Sequence, residues 1–242
     1  MMKLQENNIQ AFNADIIQKG GYDYTSGERC SSRLANVRIS NAVQELAKGC
    51  GQRIIDIGCG DGTYTAEMKT LNPSEVLGID AAEAAVELAR QRMANDSRFH
   101  FETRSVYDLS PFYGAFDLAI VRGVLHHLRE PAKAVAELVK TAPMQVVVEP
   151  NGFNPIVKVL ELISPYHRLH EERSFFPFIL RRWFATAGAS IDKAVFVNTV
   201  PMFCPDGFAR FCDRFSPLIE RLPLVYHFGC GQYVFRARRI AT

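Results

Sequence analysis

A doubly wound α/β sheet is the fold class that this sequence predicts, and three features predict it. Between residues 53 and 149, short apolar runs alternate with helix-forming segments. That is the pattern of strands joined by right-handed crossovers into a parallel sheet. The first run, Ile54-Ile55-Asp56-Ile57, enters the glycine-rich turn Gly58-Cys59-Gly60-Asp61-Gly62, and a helix starts at Thr63-Tyr64-Thr65-Ala66-Glu67. Strand, glycine turn and helix start together mark a nucleotide-type pocket at the carboxyl edge of such a sheet. The second run ends at Asp80 and passes into Ala81–Arg90, a strongly helix-forming stretch.

The elements follow in order. Residues 1–30 are polar with scattered aromatics and read as a helix plus a loop. Leu34, Val37, Val43, Leu46 and Ala47 recur at helical spacing, which predicts an amphipathic helix over 31–48. Residues 1–48 thus form an N-terminal helical cap on a main domain of residues 49–242. Strands are expected at 53–57, 75–79, 98–104, 116–121 and 144–149, with helices near 63–70, 82–93 and 131–140. Pro131 suits the first turn of its helix. Beyond Pro150 the pattern changes. Residues 155–163 form an apolar helix that Ser164-Pro165 ends, and 175–187 form another, closed by Gly188. Two late strands, 191–200 and 232–238, flank a helical 205–222. Arg236, Arg238 and Arg239 are expected on one exposed face of the last strand.

Composition narrows the function. The 242 residues suit one sizeable domain, or one with a cap. An apolar fraction of 48% and a charged fraction of 22% are those of an ordinary soluble globule. A net charge of +2 is too small to attract nucleic acid in bulk, so no nucleic-acid partner is expected. No stretch approaches the ~20 apolar residues of a membrane span. No apolar run follows a basic start, so no secretory leader is expected. The cysteines at 30, 50, 59, 204, 212 and 230 form no C-x-x-C pair. They read as reduced thiols of a cytoplasmic protein, not as a zinc site.

The glycine spacing separates nucleotide classes. A dinucleotide fingerprint G-x-G-x-x-G from Gly58 needs glycine at 63, where Thr63 stands. Here Asp56 is followed by glycines at 58, 60 and 62, a pattern that resembles the class I S-adenosylmethionine (SAM) methyltransferases. Asp80 lies about 20 residues past the glycine turn, the spacing of an acid that binds ribose hydroxyls; its other reading is an N-cap for the next helix. Phe116-Asp117-Leu118-Ala119-Ile120-Val121-Arg122-Gly123-Val124-Leu125-His126-His127-Leu128 is similar to the fourth-strand signature of the small-molecule type of that family.

The resemblance implies a seven-stranded Rossmann-like sheet, mostly parallel with an antiparallel last strand. It also implies N-terminal helices and a helical lid inserted at about 151–174 and 201–230. The implied cofactor is SAM, leaving as S-adenosylhomocysteine (SAH). The implied cofactor positions are Asp56, Gly58, Cys59, Gly60, Asp61, Gly62 and Tyr64 at the first corner, and Asp80 and Ala81 at the second. Ser105, Val106 and Tyr107 follow the third strand, and Arg122 and Gly123 the fourth. The family usually carries an acid after the third strand for the adenine amine. Ser105 stands there instead, and Asp108, the nearest acid, either substitutes for it or caps the turn before Pro111.

Methyl transfer from a sulfonium is an in-line displacement, so the protein mainly aligns the acceptor at ~3 Å and excludes water. A hydroxyl acceptor also benefits from a base of near-neutral pKa. His126 and His127 are first candidates for that base; packing and cofactor contact are their alternative. His167 is second, in Pro165-Tyr166-His167-Arg168-Leu169-His170-Glu171-Glu172, a segment that reads as a solvated loop, with no metal expected. Glu149 and Asn151 leave the fifth strand at the ligand edge, as substrate-binding groups or as turn formers, and Asn154 is placed to cap the helix at Pro155.

Aromatic residues crowd 151–230. Those facing the cleft favour a small apolar, aromatic or lipid-like acceptor. The Glu149-Pro150-Asn151-Gly152-Phe153-Asn154-Pro155 stretch resembles family members of glycan or lipid-linked pathways, so peripheral membrane association stays open. The expected function is SAM-dependent methylation of a small molecule, with oxygen as first choice of target atom and nitrogen or carbon second. The rivals are an RNA or DNA methyltransferase, disfavoured by the missing N/D-P-P-Y/F motif, and a SAM-binding protein without catalysis.

Overall fold

The structure, a computed structural model, describes residues 9–10, 13–14, 16–18, 20–22, 25, 29–163 and 173–240. Its seven strands are β1 (Arg53–Ile57), β2 (Glu75–Asp80), β3 (Phe99–Thr103), β4 (Leu118–Arg122), β5 (Met144–Pro150), β6 (Ala189–Val197) and β7 (Gln232–Arg239). They form one sheet in the order β3-β2-β1-β4-β5-β7-β6. β7 runs antiparallel to both of its neighbours, β5 and β6; the other six strands share one direction. The reversal of strand order between β1 and β4 opens a crevice at the carboxyl ends of these strands.

The helices are α1 (Cys30–Ala47), α2 (Thr63–Glu67), α3 (Glu83–Arg92), α4 (Pro131–Thr141), α5 (Pro155–Ile163), α6 (Pro177–Thr186), α7 (Asp206–Ile219) and α8 (Val225–Gly229). Strands buried on both faces read as near-continuous apolar runs, and β1, β4 and β5 do so apart from the buried Asp56, Gln145 and Glu149. Ile54, Leu118, Ile120, Val146 and Val148 face a core shared with Ile39, Val43 and Leu46 of α1 and Val86 and Ala89 of α3. Ile55, Ile57, Ala119, Val121 and Val147 face the opposite core, built with Val135 and Leu138 of α4 and Leu180 and Phe184 of α6.

Local chemistry sets the ends where the structure differs from the sequence expectation. β4 starts at Leu118, because the Asp117 carboxylate leaves the strand line to accept the Gln52 and Arg53 N–H groups, each at 2.9 Å. The helix expected over 63–70 tightens after Glu67 into a 3-10 turn, Met68–Leu71. The single helix expected over 205–222 divides: α7 ends at Ile219, and after Leu224, at φ 69°, α8 begins. Arg236, Arg238 and Arg239 do not share one exposed face. Arg236 pairs with Asp192 of β6 at 2.7 Å, while Arg239, on the other side of the pleat, reaches the Lys140 carbonyl.

Phe184 of α6 and Phe235 of β7 are both fully buried, with rings edge to face at 5.2 Å. Phe184→Ala is expected to lower unfolding free energy by ~3–5 kcal/mol, read as a lower urea midpoint at unchanged slope.

Candidate functional site

The first βα corner is held by hydrogen bonds that begin in the sheet. Gly58 and Cys59 donate their N–H groups to the Ile79 carbonyl of β2, at 2.8 and 3.0 Å. Gly58 has φ 78°, and a Cβ there would lie 2.3 Å from Cγ2 of Val124 in the loop after β4. Side-chain atoms of Val124 take up the space that the missing Cβ leaves. Gly60, at φ 53°, lies under the Tyr22 ring. Asp61 is buried and ties the corner to the N-terminal segment, accepting the Thr25 hydroxyl at 3.0 Å and the Thr63 N–H at 3.0 Å. Cys59 is buried, and burial pushes its thiol well above the usual range. That leaves it a packing residue, not a nucleophile.

Asp56 sits beneath the corner, 3% exposed. Its partner is the Thr65 hydroxyl at 2.5 Å. Burial pushes its carboxyl up to about 7, against the pull of that hydroxyl and of the Arg122 charge. The Arg122 guanidinium lies 3.4 Å from the centre of the Tyr64 ring and donates to Ser40 Oγ and Asn36 Oδ1 of α1, at 2.9 and 3.2 Å. Asp56, Tyr64 and Arg122 line a cleft together with Val43, Met68 and Ile120. Burial raises the Tyr64 phenol to about 12, so it stays neutral.

Asp80 ends β2 and faces the same corner. Its carboxylate accepts the Gly60 N–H at 2.9 Å and the Ala82 N–H at 2.8 Å, with Ala81 between. The N-cap of the next helix is Ala82, with no side-chain cap bond; the Asp80 carboxylate instead spans the glycine turn and the turn that leads into that helix. Ser105 Oγ accepts the Tyr107 N–H at 3.3 Å, and Val106 is buried. Asp108 pairs with Arg104 at 2.8 Å, so this nearest acid is already engaged.

The ends of β4 and β5 are joined by a buried carboxylate. Glu149 is 0% exposed and accepts the backbone N–H groups of Val124, Leu125 and His126, at 3.2, 2.9 and 3.1 Å. His126 Nδ1 lies 3.0 Å from the same carboxylate. Burial pushes the Glu149 carboxyl up to about 8, with the three N–H donors opposing. His126 is buried, and its ring lies 4.0 Å from that of half-buried His127, centre to centre. Gly123, at φ 69°, turns the chain out of β4 into this loop. Neither Glu149 nor Asn151 is exposed for substrate. Asn151 is buried and donates to the His227 and Cys230 carbonyls, at 2.7 and 2.9 Å. Asn154 does cap α5, accepting the Ile156 and Val157 N–H groups. His167 lies outside the described residues, as does His170. Among the described residues no cluster of His, Cys, Asp or Glu could hold a metal ion.

Residues 54–142, from β1 to the end of α4, match the family model of a methyltransferase domain. The magnesium protoporphyrin IX methyltransferase of Synechocystis, solved with bound SAM, shares the fold at a TM-score of 0.61 and 15% identity, over 96% of this chain and 97% of that one. Residues 54–142 are a methyltransferase domain, and the chain has the fold of the SAM-dependent methyltransferases. A ubiquinone biosynthesis O-methyltransferase of Neisseria meningitidis is 35% identical over 97 residues, 38% of this chain and 41% of that protein. A tRNA U34 carboxymethyltransferase of Geobacter sp. is 27% identical over 132 residues, 54% of this chain and 40% of that protein. The chain thus spans about two-fifths of the length of these two relatives.

In this chain the predicted cofactor residues of β1, β2 and β4 converge on one sheet edge. Sequence reasoning missed Thr65 as the partner of Asp56, Ser40 and Asn36 as the hold on Arg122, and Tyr22 over Gly60. No local pattern marks the last three, because each contact crosses from a distant N-terminal segment.

Asp56 gives the stability of this corner a pH dependence. Its folded pKa of about 7 exceeds the unfolded 3.8, so the folded chain keeps a proton that the unfolded chain has released. Its contribution is full below about pH 4 and is lost as pH rises through 7. Asp56→Asn is expected to remove up to ~1.4 kcal/mol per pH unit from the slope of unfolding free energy in that window, measured by urea unfolding at a series of pH values.

Proposed function

We propose that this protein transfers the SAM methyl group to a small-molecule acceptor, with a hydroxyl oxygen as the target atom. The observation that carries this reading is the Glu149–His126 pair beside the glycine corner. Glu149 collects three loop N–H groups and His126 Nδ1, which fixes the imidazole in orientation. Where pH exceeds about 8 and the Glu149 carboxyl has given up its proton, Nδ1–H donates to the carboxylate and Nε2 is the basic atom. In the reaction the acceptor oxygen gives its proton to His126 Nε2 and its electron pair to the methyl carbon. SAM bound at the corner would supply the activated methyl, and its sulfur would keep the electrons of the broken carbon–sulfur bond, leaving as SAH. His127 and His167 remain secondary candidates for the base.

The cofactor positions in this reading are the glycine corner with Tyr64, Asp80 with Ala81 for the ribose, Ser105 to Tyr107 beside the adenine, and Arg122 with Gly123 near the reacting methyl. The segments 151–174 and 201–230 form the acceptor lid, and 1–48 the N-terminal cap. Their exposed phenylalanines and leucines favour an apolar, lipid-like or lipid-linked acceptor. All six cysteines are free thiols, which fits a cytoplasmic protein working in the cytosol or at a membrane surface. The Geobacter relative, by its name, acts on tRNA, so an RNA acceptor is the second reading.

Two measurements test this. Calorimetry with SAH is expected to show binding that Asp80→Ala weakens at least ~10-fold, the loss of one charge-assisted bond. Labelled SAM with a metabolite extract and with total tRNA is expected to label the small-molecule fraction. His126→Ala is expected to slow that transfer by ~10²–10⁴ with SAH affinity within a few-fold. Label in the tRNA selects the second reading, and binding without transfer to either makes the protein a SAM sensor.

A further inference from the structure

Helix α7 exposes its apolar stripe. Phe208, Phe211, Phe215 and Leu218 are 52%, 59%, 41% and 58% exposed, and their spacing confines them to an arc of roughly 80° on the helix. The face that packs inward is a different one, carrying Ala209 and Ser216. The charges are sorted to match. Asp213 and Glu220 turn toward α1 and pair with Arg38, at 2.7 and 3.4 Å. Arg210 and Arg214 stay exposed along one edge of the stripe, and Arg221 follows the helix end. These three form no ion pair among the described residues.

The exposed face continues into the next element. Leu224, Val225 and Phe228 are 72%, 46% and 57% exposed, and Gly229 of α8 packs close against Ile219 of α7. The four open phenylalanine rings alone leave on the order of 400 Å² of apolar surface, at about half of ~200 Å² each. With the leucines added, this is more than a soluble monomer ordinarily leaves open without a use.

The chemistry of the face selects its occupant. A twofold dimer would cover the rings but brings the arginines no new counter-charge from this helix, because Asp213 and Glu220 are already engaged by Arg38. A single-stranded nucleic acid would use the arginines and stack on the rings, but Leu218, Leu224 and Val225 offer it nothing. Anionic lipid accepts all three kinds of side chain: phenyl and aliphatic groups in the acyl boundary, guanidinium groups at the headgroup phosphates. We infer that the α7–α8 face docks this methyltransferase on an anionic lipid surface. The inference rests on the reading of an apolar acceptor, and docking brings the acceptor side of the enzyme to the phase in which such a molecule dissolves.

Sedimentation of the full chain with vesicles tests it. The chain is expected to stay in solution with phosphatidylcholine alone and to bind vesicles that also contain phosphatidylglycerol, with binding that falls steeply as salt rises. Arg210→Gln, Arg214→Gln and Arg221→Gln together are expected to weaken partition by on the order of 10²-fold, from ~1 kcal/mol per arginine at the surface. Phe211→Ser with Phe215→Ser is expected to abolish it. All five side chains are exposed, so SAH binding by calorimetry is expected to be unchanged. That measurement separates failure here from failure of the methyltransferase reading. A wild-type chain that ignores both vesicle types, or one whose partition does not respond to salt or to the arginine changes, overturns the inference. So does tighter binding to an RNA oligonucleotide than to vesicles. A dimer in sedimentation velocity that the serine variant dissolves, with no vesicle binding, assigns the face to a second copy.

Discussion

The site depends on one carboxylate, that of Glu149. Leaving a carboxylate without water is costly, and the cost is offset only by several well-aligned donors. Glu149 obtains them from three successive loop amides and an imidazole. In satisfying it, the chain after β4 is bent over the end of β5, and Val124 is pressed into the space that Gly58 leaves open. The glycine corner, the loop after β4 and the end of β5 are thereby one rigid unit. The glycine corner and Glu149 are held together in this unit although they lie about 90 residues apart in sequence.

A second feature is the separation of charge by depth. Asp56 is buried beneath the corner with a hydroxyl as partner, and Arg122 lies above it against an aromatic face. Arg122 is also tied to α1 through Ser40 and Asn36. The helix that precedes the first strand therefore takes part in setting the electrostatics of the cleft, besides covering the sheet. Neutral Tyr64 adds a polarisable surface in place of a further charge.

The legible part of this protein was the part whose physics is local. Strand runs, the glycine corner, Asp80 at the end of β2 and the position of α4 after Pro131 all follow from patterns within a few residues, and the structure places them accordingly. Roles that depend on what lies across space were read less well. Glu149 and Asn151 sit at a ligand edge in sequence terms, yet both turn inward, because the loop after β4 and the 227–230 carbonyls need partners there. The break between α7 and α8 was also hidden, since Pro217 is accommodated inside α7 while the chain turns at Leu224. The crowding of aromatics over 151–230 was plain in sequence; it could not show that those of α7 look away from the protein.

The place of β7 in the sheet has a consequence for biosynthesis. β6 is joined to the other strands only through β7, which enters between it and β5. As the chain leaves the ribosome, the first five strands can assemble while residues 189–197 wait without a neighbour, their unsatisfied backbone open to wrong pairing. The nascent polypeptide gains its full cooperative stability only when residues 232–239 emerge, so premature termination upstream of them is expected to yield material for chaperones and proteases rather than a smaller working protein.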